Sequence, residues 1–291
     1  MPLLDWFTEP FALGFQQRAL IGGVLAGLMC AVVGTWLVLR GMSFFGDAFV
    51  HGVVPGIAAA VVLDINPLLG AAVAAAVMLV AIELVGRQTT LGEDTAIGLL
   101  FVGMLGLGVV IISKVDSYSG SLTSILFGDA LGVTWSDIIW QLILGVIVVV
   151  AAVGLYRPLL ALSFNYQKAE LLGMRPRATH AVLLVLIATA VIGSFQSVGT
   201  LLVFGLLVAP PATAALIART VPRMMLGAAV LSVLSVWFGL TLSYHLGTAA
   251  SATMALVPVV VFFLVLPIAR WSRTRRGSGA DVAAADAAVT T

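Results

Sequence analysis

Apolar residues in this chain are gathered into long runs, and polar residues fall in short stretches between them. A helix needs about 20 apolar residues to cross a hydrocarbon layer about 30 Å thick. Nine stretches approach or reach that length, so the pattern predicts a polytopic bundle of eight or nine membrane-spanning helices. The nine candidate spans are residues 20–39, 49–63, 67–85, 96–112, 138–156, 178–193, 199–218, 224–246 and 250–269.

Composition narrows the class of protein further. Hydrophobic residues make up 61% of the 291 residues and charged residues 9%, whereas soluble domains have roughly 45–50% and about 25%. So little charge cannot cover the surface of a soluble globule. The composition therefore excludes a soluble enzyme, a secreted disulfide scaffold and a disordered chain. We expect an all-α integral membrane domain over residues 1–269, followed by a basic and then disordered tail over residues 270–291.

The basic residues indicate how the bundle is oriented. If successive connections alternate between the two sides of the membrane, 12 of the 14 lysines and arginines fall on one side. Cytoplasmic connections are the basic ones, so the C-terminus is predicted to be cytoplasmic. Nine spans place the N-terminus outside; eight would require one candidate to be re-entrant or interfacial, and would place it inside. The basic side holds Arg40, Arg87, Arg157, Lys168, Arg175, Arg177, Arg219, Arg223, Arg270, Arg273, Arg275 and Arg276, and the other side only Arg18 and Lys114.

An acidic residue and a histidine open the second candidate span. Asp47 and His51 are four residues apart, which on a helix places their Cβ atoms about 5–6 Å apart on one face. A carboxylate and an imidazole suit a divalent ion such as zinc or manganese. Two ligands are few, but a two-fold dimer with this helix on its axis would supply four. The alternative is that Asp47 caps the helix and His51 bonds to a carbonyl.

Residues 197–215 contain two prolines inside a predicted span. A proline interrupts the helical hydrogen bonds, and freed carbonyls need partners in the protein or in a water-lined cavity. Broken spans are common where transporters bind or gate, and a simple packing kink is the alternative. The candidate gating or pathway residues are Gly199, Thr200, Pro210 and Pro211.

The connection 157–177 is the longest on the basic side, and within it residues 163–173 are predicted to form a short amphipathic helix. Ser163 or Asn165 can cap its start, and Gly173 suits the position after its end. Such a helix can lie on lipid or dock into a soluble partner. The candidate partner-binding residues are Phe164, Lys168, Leu171 and Leu172.

No phosphate-binding motif of the form G-x-x-x-x-G-K-[ST] is present in the sequence, so no nucleotide site is predicted. The chain is therefore expected not to be an enzyme and to have no cofactor of its own. Active transport would draw on an ion gradient or on another subunit.

Several of these elements, in this order, resemble one transporter family. Residues 38–56 read VLRGMSFFGDAFVHGVVPG, residues 93–98 read EDTAIG, and 198–214 and 163–173 supply two further elements. Together they resemble the membrane subunits of the zinc/manganese class of ABC transporters, over residues 11–268. The chain departs from that pattern at Asn165, where an acid is usual, and at Phe49 and Val50, where the family has a leucine-serine pair.

The resemblance implies a permease of the bacterial plasma membrane that works as a homodimer. It implies a cytoplasmic ATPase subunit, an extracytoplasmic solute-binding protein that delivers the metal, and no nucleic-acid partner. It makes Asp47 and His51 the metal ligands and 163–173 the coupling helix that docks on the ATPase.

Three other functions are alternatives to a metal-importing permease. A secondary transporter would be expected to show an inverted repeat and several mid-span carboxylates, whereas no clear repeat is visible and Asp47 is the one acid near a candidate pathway. A permease for a metal chelate is usually longer, with about ten spans. A non-transporting scaffold would not depend on an ATPase. The sequence does not separate zinc, manganese and ferrous iron as cargo.

Overall fold

The computed structural model describes residues 6–88, 93–113, 131–164, 170–171 and 173–289. Its regular elements are a 3₁₀ turn and ten helices. In chain order these are the turn Glu9–Ala12, then α1 Gly14–Leu39, α2 Ser43–Gly52, α3 Val54–Val62, α4 Pro67–Gln88, α5 Glu93–Ile112, α6 Trp135–Gly154, α7 Tyr156–Phe164, α8 Pro176–Ile217, α9 Val221–Leu246 and α10 Ala250–Val289.

Nine helical stretches in the described part of the chain are long and apolar enough to span a membrane. This confirms the predicted all-α membrane bundle and favours the higher of the two span counts. The predictions made for the tail over residues 270–291 remain predictions. The nine stretches are Gly14–Leu39, Ser43–Val62, Pro67–Val85, Thr95–Ile112, Trp135–Gly154, Pro176–Phe195, Val198–Ile217, Val221–Leu246 and Ala250–Trp271.

The first span forms the centre of the bundle. Helix α1 packs against α6, α8 and α9, and its large side chains Met29, Trp36 and Leu37 are almost completely buried. The outer helices instead expose rows of apolar side chains, as on α5 and α6, which is the expected surface of a protein surrounded by lipid.

Helices α1 and α8 approach each other so closely that their backbones touch. Pro211 has no N–H to donate to the carbonyl of Leu207, one turn earlier in α8. A Cβ atom added at Gly34 of α1 would collide with that same carbonyl oxygen. Glycine at position 34 therefore lets a Cα–H group cover a carbonyl that the helix itself cannot satisfy, as small residues do between membrane helices.

The second span is broken, and the sequence pattern did not predict the break. It was predicted as one segment over residues 49–63, but it consists of α2 and α3, which together cover Ser43–Val62. The break lies at Val53. Pro55 cannot donate an N–H to the carbonyl of His51, so the hydrogen-bond ladder is interrupted at the end of α2. The earlier start of the span places both Asp47 and His51 inside it.

Helix α8 is interrupted at a glycine and not at its two prolines. Pro210 and Pro211 lie inside the helix, and the one residue with a non-helical conformation is Gly199, with φ 75° and ψ 168°. A φ in that range is readily adopted only by glycine. The prolines free a carbonyl, as predicted, but the helix continues through them because Gly34 accommodates that carbonyl, so the predicted break at the prolines was wrong. Gly199 lies at the boundary that had been predicted between the sixth and seventh spans.

Candidate functional site

The turn between α1 and α2 positions the helix that carries the Asp–His pair. Gly41 has a left-handed φ of 68°, and its N–H donates to Val38 at 3.0 Å while the N–H of Met42 donates to Leu37 at 3.0 Å. This pair of hydrogen bonds is a Schellman motif, which ends α1 and satisfies two of its last carbonyls. Helix α2 then begins at Ser43 with a fixed direction relative to the central helix.

Asp47 and His51 face each other on α2, as their spacing predicted. The Nε2 atom of His51 lies 3.5 Å from Oδ1 of Asp47, and the two side chains are 28% and 29% exposed. That distance is long for a hydrogen bond. It is close to the separation of about 3.3 Å that an oxygen and a nitrogen have when both bind one tetrahedral ion at about 2.0–2.1 Å. The spacing is therefore compatible with one divalent ion held by both atoms, and a metal role for the pair remains a prediction.

The second nitrogen of His51 is enclosed by protein. Its Nδ1 atom is buried and has no hydrogen-bond partner among the described residues. The ring instead packs against Phe101 of α5, with centroids 6.0 Å apart and planes at 60°. Metal-binding histidines are usually oriented by a hydrogen bond from the other ring nitrogen. Here the ring is held by packing against Phe101, and Nε2 is the nitrogen that faces Asp47.

An aromatic wall closes one side of the pair. Phe44 lies on the same face of α2 as Asp47 and His51, and its ring centroid is 6.1 Å from that of Phe101. Neither phenylalanine was predicted from the sequence to be part of the site. Phe44 could have been predicted to lie beside the pair, because it is three residues before Asp47 on the same helix. Phe101 could not, because its approach depends on how α5 packs against α2.

The proline-containing part of α8 lies behind α2. A Cβ atom added at Gly46 would lie 2.8 Å from Cδ2 of Leu207, so Leu207 supports the helix next to Asp47. Roles for Gly199, Thr200, Pro210 and Pro211 in gating remain predictions.

One protomer places two candidate metal ligands at this position. Among the described residues, no group of three or more His, Cys, Asp or Glu side chains comes together. A structural metal site normally has four protein ligands. The pair alone is thus suited to weak, reversible binding, or to a site completed by groups from outside the protomer.

The predicted coupling segment is partly described. The hydroxyl of Ser163 donates to Leu159 inside α7 at 2.8 Å, and α7 continues to Phe164. A cap at Ser163 or Asn165 remains a prediction, because residues 165–169 lie outside the described part of the chain. Gly173 has φ 71° and its N–H donates to Glu170 at 3.0 Å, which confirms its helix-ending position. Phe164 and Leu171 are 76% and 86% exposed. Lys168 and Leu172 lie outside the described residues.

In the described part of the chain, nine apolar helical stretches surround a carboxylate–imidazole pair that is a little more than a quarter exposed on a broken span, an arrangement typical of membrane transport proteins. Residues 12–269 match the ABC 3 transport family, so the chain belongs to that family. This confirms the resemblance seen in the sequence.

Individual relatives agree with the assignment. The chain is 35% identical to the manganese transport system membrane protein MntC of Listeria innocua, over 86% of this chain and 89% of that one. It is 31% identical to a probable iron transport system membrane protein of Haemophilus influenzae, over 91% and 97% of the two chains. Among solved structures, PsaBC from Streptococcus pneumoniae in complex with Fab matches with a TM-score of 0.82 at 29% identity, over 94% and 99% of the two chains.

Proposed function

We propose that this chain is the membrane-spanning subunit of an ABC importer that moves a divalent transition metal across the bacterial plasma membrane. The observation that carries the proposal is the Asp47–His51 pair, held at 3.5 Å on a broken span. An ionisable side chain inside a membrane span is costly and usually serves function. Relatives named for manganese and iron transport support this choice of cargo.

The pair would act as a transient ligand set for the ion. His51 supplies the neutral nitrogen Nε2 and Asp47 a carboxylate oxygen, a mixed set that manganese, iron and zinc all accept. Coordination by few protein ligands suits transport, because the ion must leave again. The aromatic wall of Phe44 and Phe101 excludes water on one side, which strengthens the attraction between the ion and Asp47.

A homodimer would complete the site. Asp47 and His51 are both more than a quarter exposed in the protomer, and neighbouring α5 has open space beside Gly103 and Gly106. Two copies related by a two-fold axis along α2 would place four ligands around one ion. The same arrangement would bury the open face of α5.

Energy would come from a separate cytoplasmic ATPase, and an extracytoplasmic solute-binding protein would deliver the ion. The sequence has no phosphate-binding loop. Contact with the ATPase would be made by the connection after α7, where Phe164 and Leu171 extend into solvent. A secondary transporter is less well supported, because family membership over residues 12–269 places the chain among ABC transport proteins.

The direct test of this function is transport by the reconstituted complex. The chain, its ATPase and the solute-binding protein are placed in proteoliposomes, and accumulation of manganese, ferrous iron and zinc is measured with and without ATP. We expect ATP-dependent uptake of at least one of the three ions. Uptake that follows an imposed proton or sodium gradient and ignores ATP would contradict the proposal and favour secondary transport.

Removing the exposed anchors of the coupling segment should uncouple the two subunits. Truncating an anchoring side chain at an interface typically costs about 2 kcal/mol or more. We expect Phe164→Ala combined with Leu171→Ala to reduce ATPase association at least tenfold, with metal binding to the isolated permease unchanged. Copurification and uptake are measured side by side, with Leu246→Ala as control, since Leu246 is an apolar residue 63% exposed at the other end of the bundle. Wild-type association would refute this role.

Orientation can be tested with single cysteines, because the one native cysteine, Cys30, is buried. We expect Ile65→Cys, in the connection between α3 and α4, to react with an impermeant thiol reagent in spheroplasts. Leu171→Cys should react only after the membrane is opened, since basic connections stay inside. The reverse labelling pattern would overturn the predicted cytoplasmic C-terminus.

A further inference from the structure

A groove lies on the outside of the bundle where α8 meets α9, away from the Asp–His pair. It has a volume of about 790 Å³. Its rim is formed by Arg219 and Arg223, and its floor by Gly227, with Ile217, Leu226 and Val230 along its length. Ile217 and Leu226 are each about two-thirds exposed, so the protomer leaves this apolar surface uncovered.

The charged end of the groove attracts anions. Neither Arg219 nor Arg223 forms an ion pair or a side-chain hydrogen bond with any residue in the described part of the chain. Helix α9 begins between them, at Val221, and has no side-chain cap. Its first N–H groups add partial positive charge to that of the two guanidinium groups.

The apolar end of the groove would lie at hydrocarbon depth in a membrane. Seven residues separate Arg223 from Val230, which corresponds to about 10 Å along the axis of α9. Arg219 and Arg223 belong to the basic end of the bundle, where charged side chains meet lipid headgroups. The walls therefore change from cationic to aliphatic over the distance between a lipid phosphate and the upper part of its acyl chains.

We propose that this groove binds an anionic phospholipid of the surrounding leaflet. The phosphate would lie between Arg219 and Arg223, and one acyl chain would cross Gly227 to contact Leu226 and Val230. Basic pockets between membrane helices recognise anionic headgroups in this way. A soluble anion could use the arginines but would leave the apolar half of the groove empty, so the combination favours a lipid.

Native mass spectrometry of the purified chain tests the site, with phosphatidylglycerol and phosphatidylcholine added at equal concentrations. We expect a preference for phosphatidylglycerol that falls roughly 30-fold in the Arg219→Gln, Arg223→Gln double variant, because each basic side chain contributes about a fivefold preference. Arg175→Gln with Arg177→Gln removes the same charge outside the groove and should leave the preference unchanged. An unaltered preference in the groove variant would overturn the proposal.

Two further measurements test the apolar half and the identity of the occupant. Gly227→Leu should fill the floor of the groove and therefore weaken binding of both lipids. The variant should still fold, because a Cβ atom added at Gly227 meets only Ala214, at an ordinary contact distance of 3.4 Å. Wild-type lipid binding by this variant, or equally tight binding of glycerol phosphate, would contradict a lipid site. A photo-crosslinking residue at Leu226 should label lipid in native membranes; crosslinks to a second copy or to the ATPase would overturn the proposal.

Discussion

Replacing Asp47 by asparagine, or His51 by alanine, is expected to reduce ATP-driven metal uptake by more than about 100-fold. Removing even an outer-shell partner of a metal ligand typically costs 10–100-fold, and these two side chains are the direct ligands in the proposed site. In a two-fold dimer each substitution removes two ligands at once. Uptake is measured in proteoliposomes at matched protein content.

Both variants should still assemble, because neither side chain is part of the buried core. Association with the ATPase and membrane abundance are therefore expected to match the wild type. Asp64→Asn provides a matched control, since it removes the same charge from an exposed connection and should leave uptake intact. Normal uptake in either site variant would show that the pair has a structural role only.

Introducing a methyl group at Gly34 is expected to destabilise the fold more than any other glycine-to-alanine change in α1. The added Cβ would collide with the carbonyl oxygen of Leu207 and also lie 3.0 Å from Cγ of Pro211. Overpacking of this kind typically costs 1–3 kcal/mol, and here the obstacle is backbone, so we expect about 3 kcal/mol. The measurement is thermal unfolding of the purified chain in detergent.

Gly154→Ala is the matched control for Gly34→Ala. Gly154 is the last residue of α6, and an added Cβ there meets nothing within 4 Å. Alanine is a better helix former than glycine by about 1 kcal/mol, so this control should be neutral or slightly stabilising. Equal stability of the two variants would mean that α1 and α8 do not touch through their backbones.

Much of the bundle could be predicted from local pattern alone. Long apolar runs determine spans directly, because a membrane leaves the backbone few alternatives to a helix. The pair at Asp47 and His51 followed from a spacing of four on one helix. Gly173 was recognised as a helix end because a left-handed residue is needed there. Each of these inferences depends on residues that are close in sequence.

The predictions that failed depended on neighbours distant in the sequence. Pro210 and Pro211 were expected to break their helix, but whether a proline does so depends on what packs against the altered carbonyl, and Gly34 lies more than 170 residues away. The break at Val53 follows from Pro55, which is close in sequence. Its effect on the site depends on α5, which packs along both α2 and α3. Phe101 likewise meets His51 only through the fold.

The stoichiometry of metal binding tests the central claim most directly. Manganese is titrated into the purified permease and followed by electron paramagnetic resonance, with the wild type and Asp47→Asn compared at equal chain concentration. A site shared between two copies predicts one bound ion per two chains, lost in the variant. Binding that is unchanged in Asp47→Asn, or one tightly held ion per chain, would contradict a shared site built on Asp47 and His51.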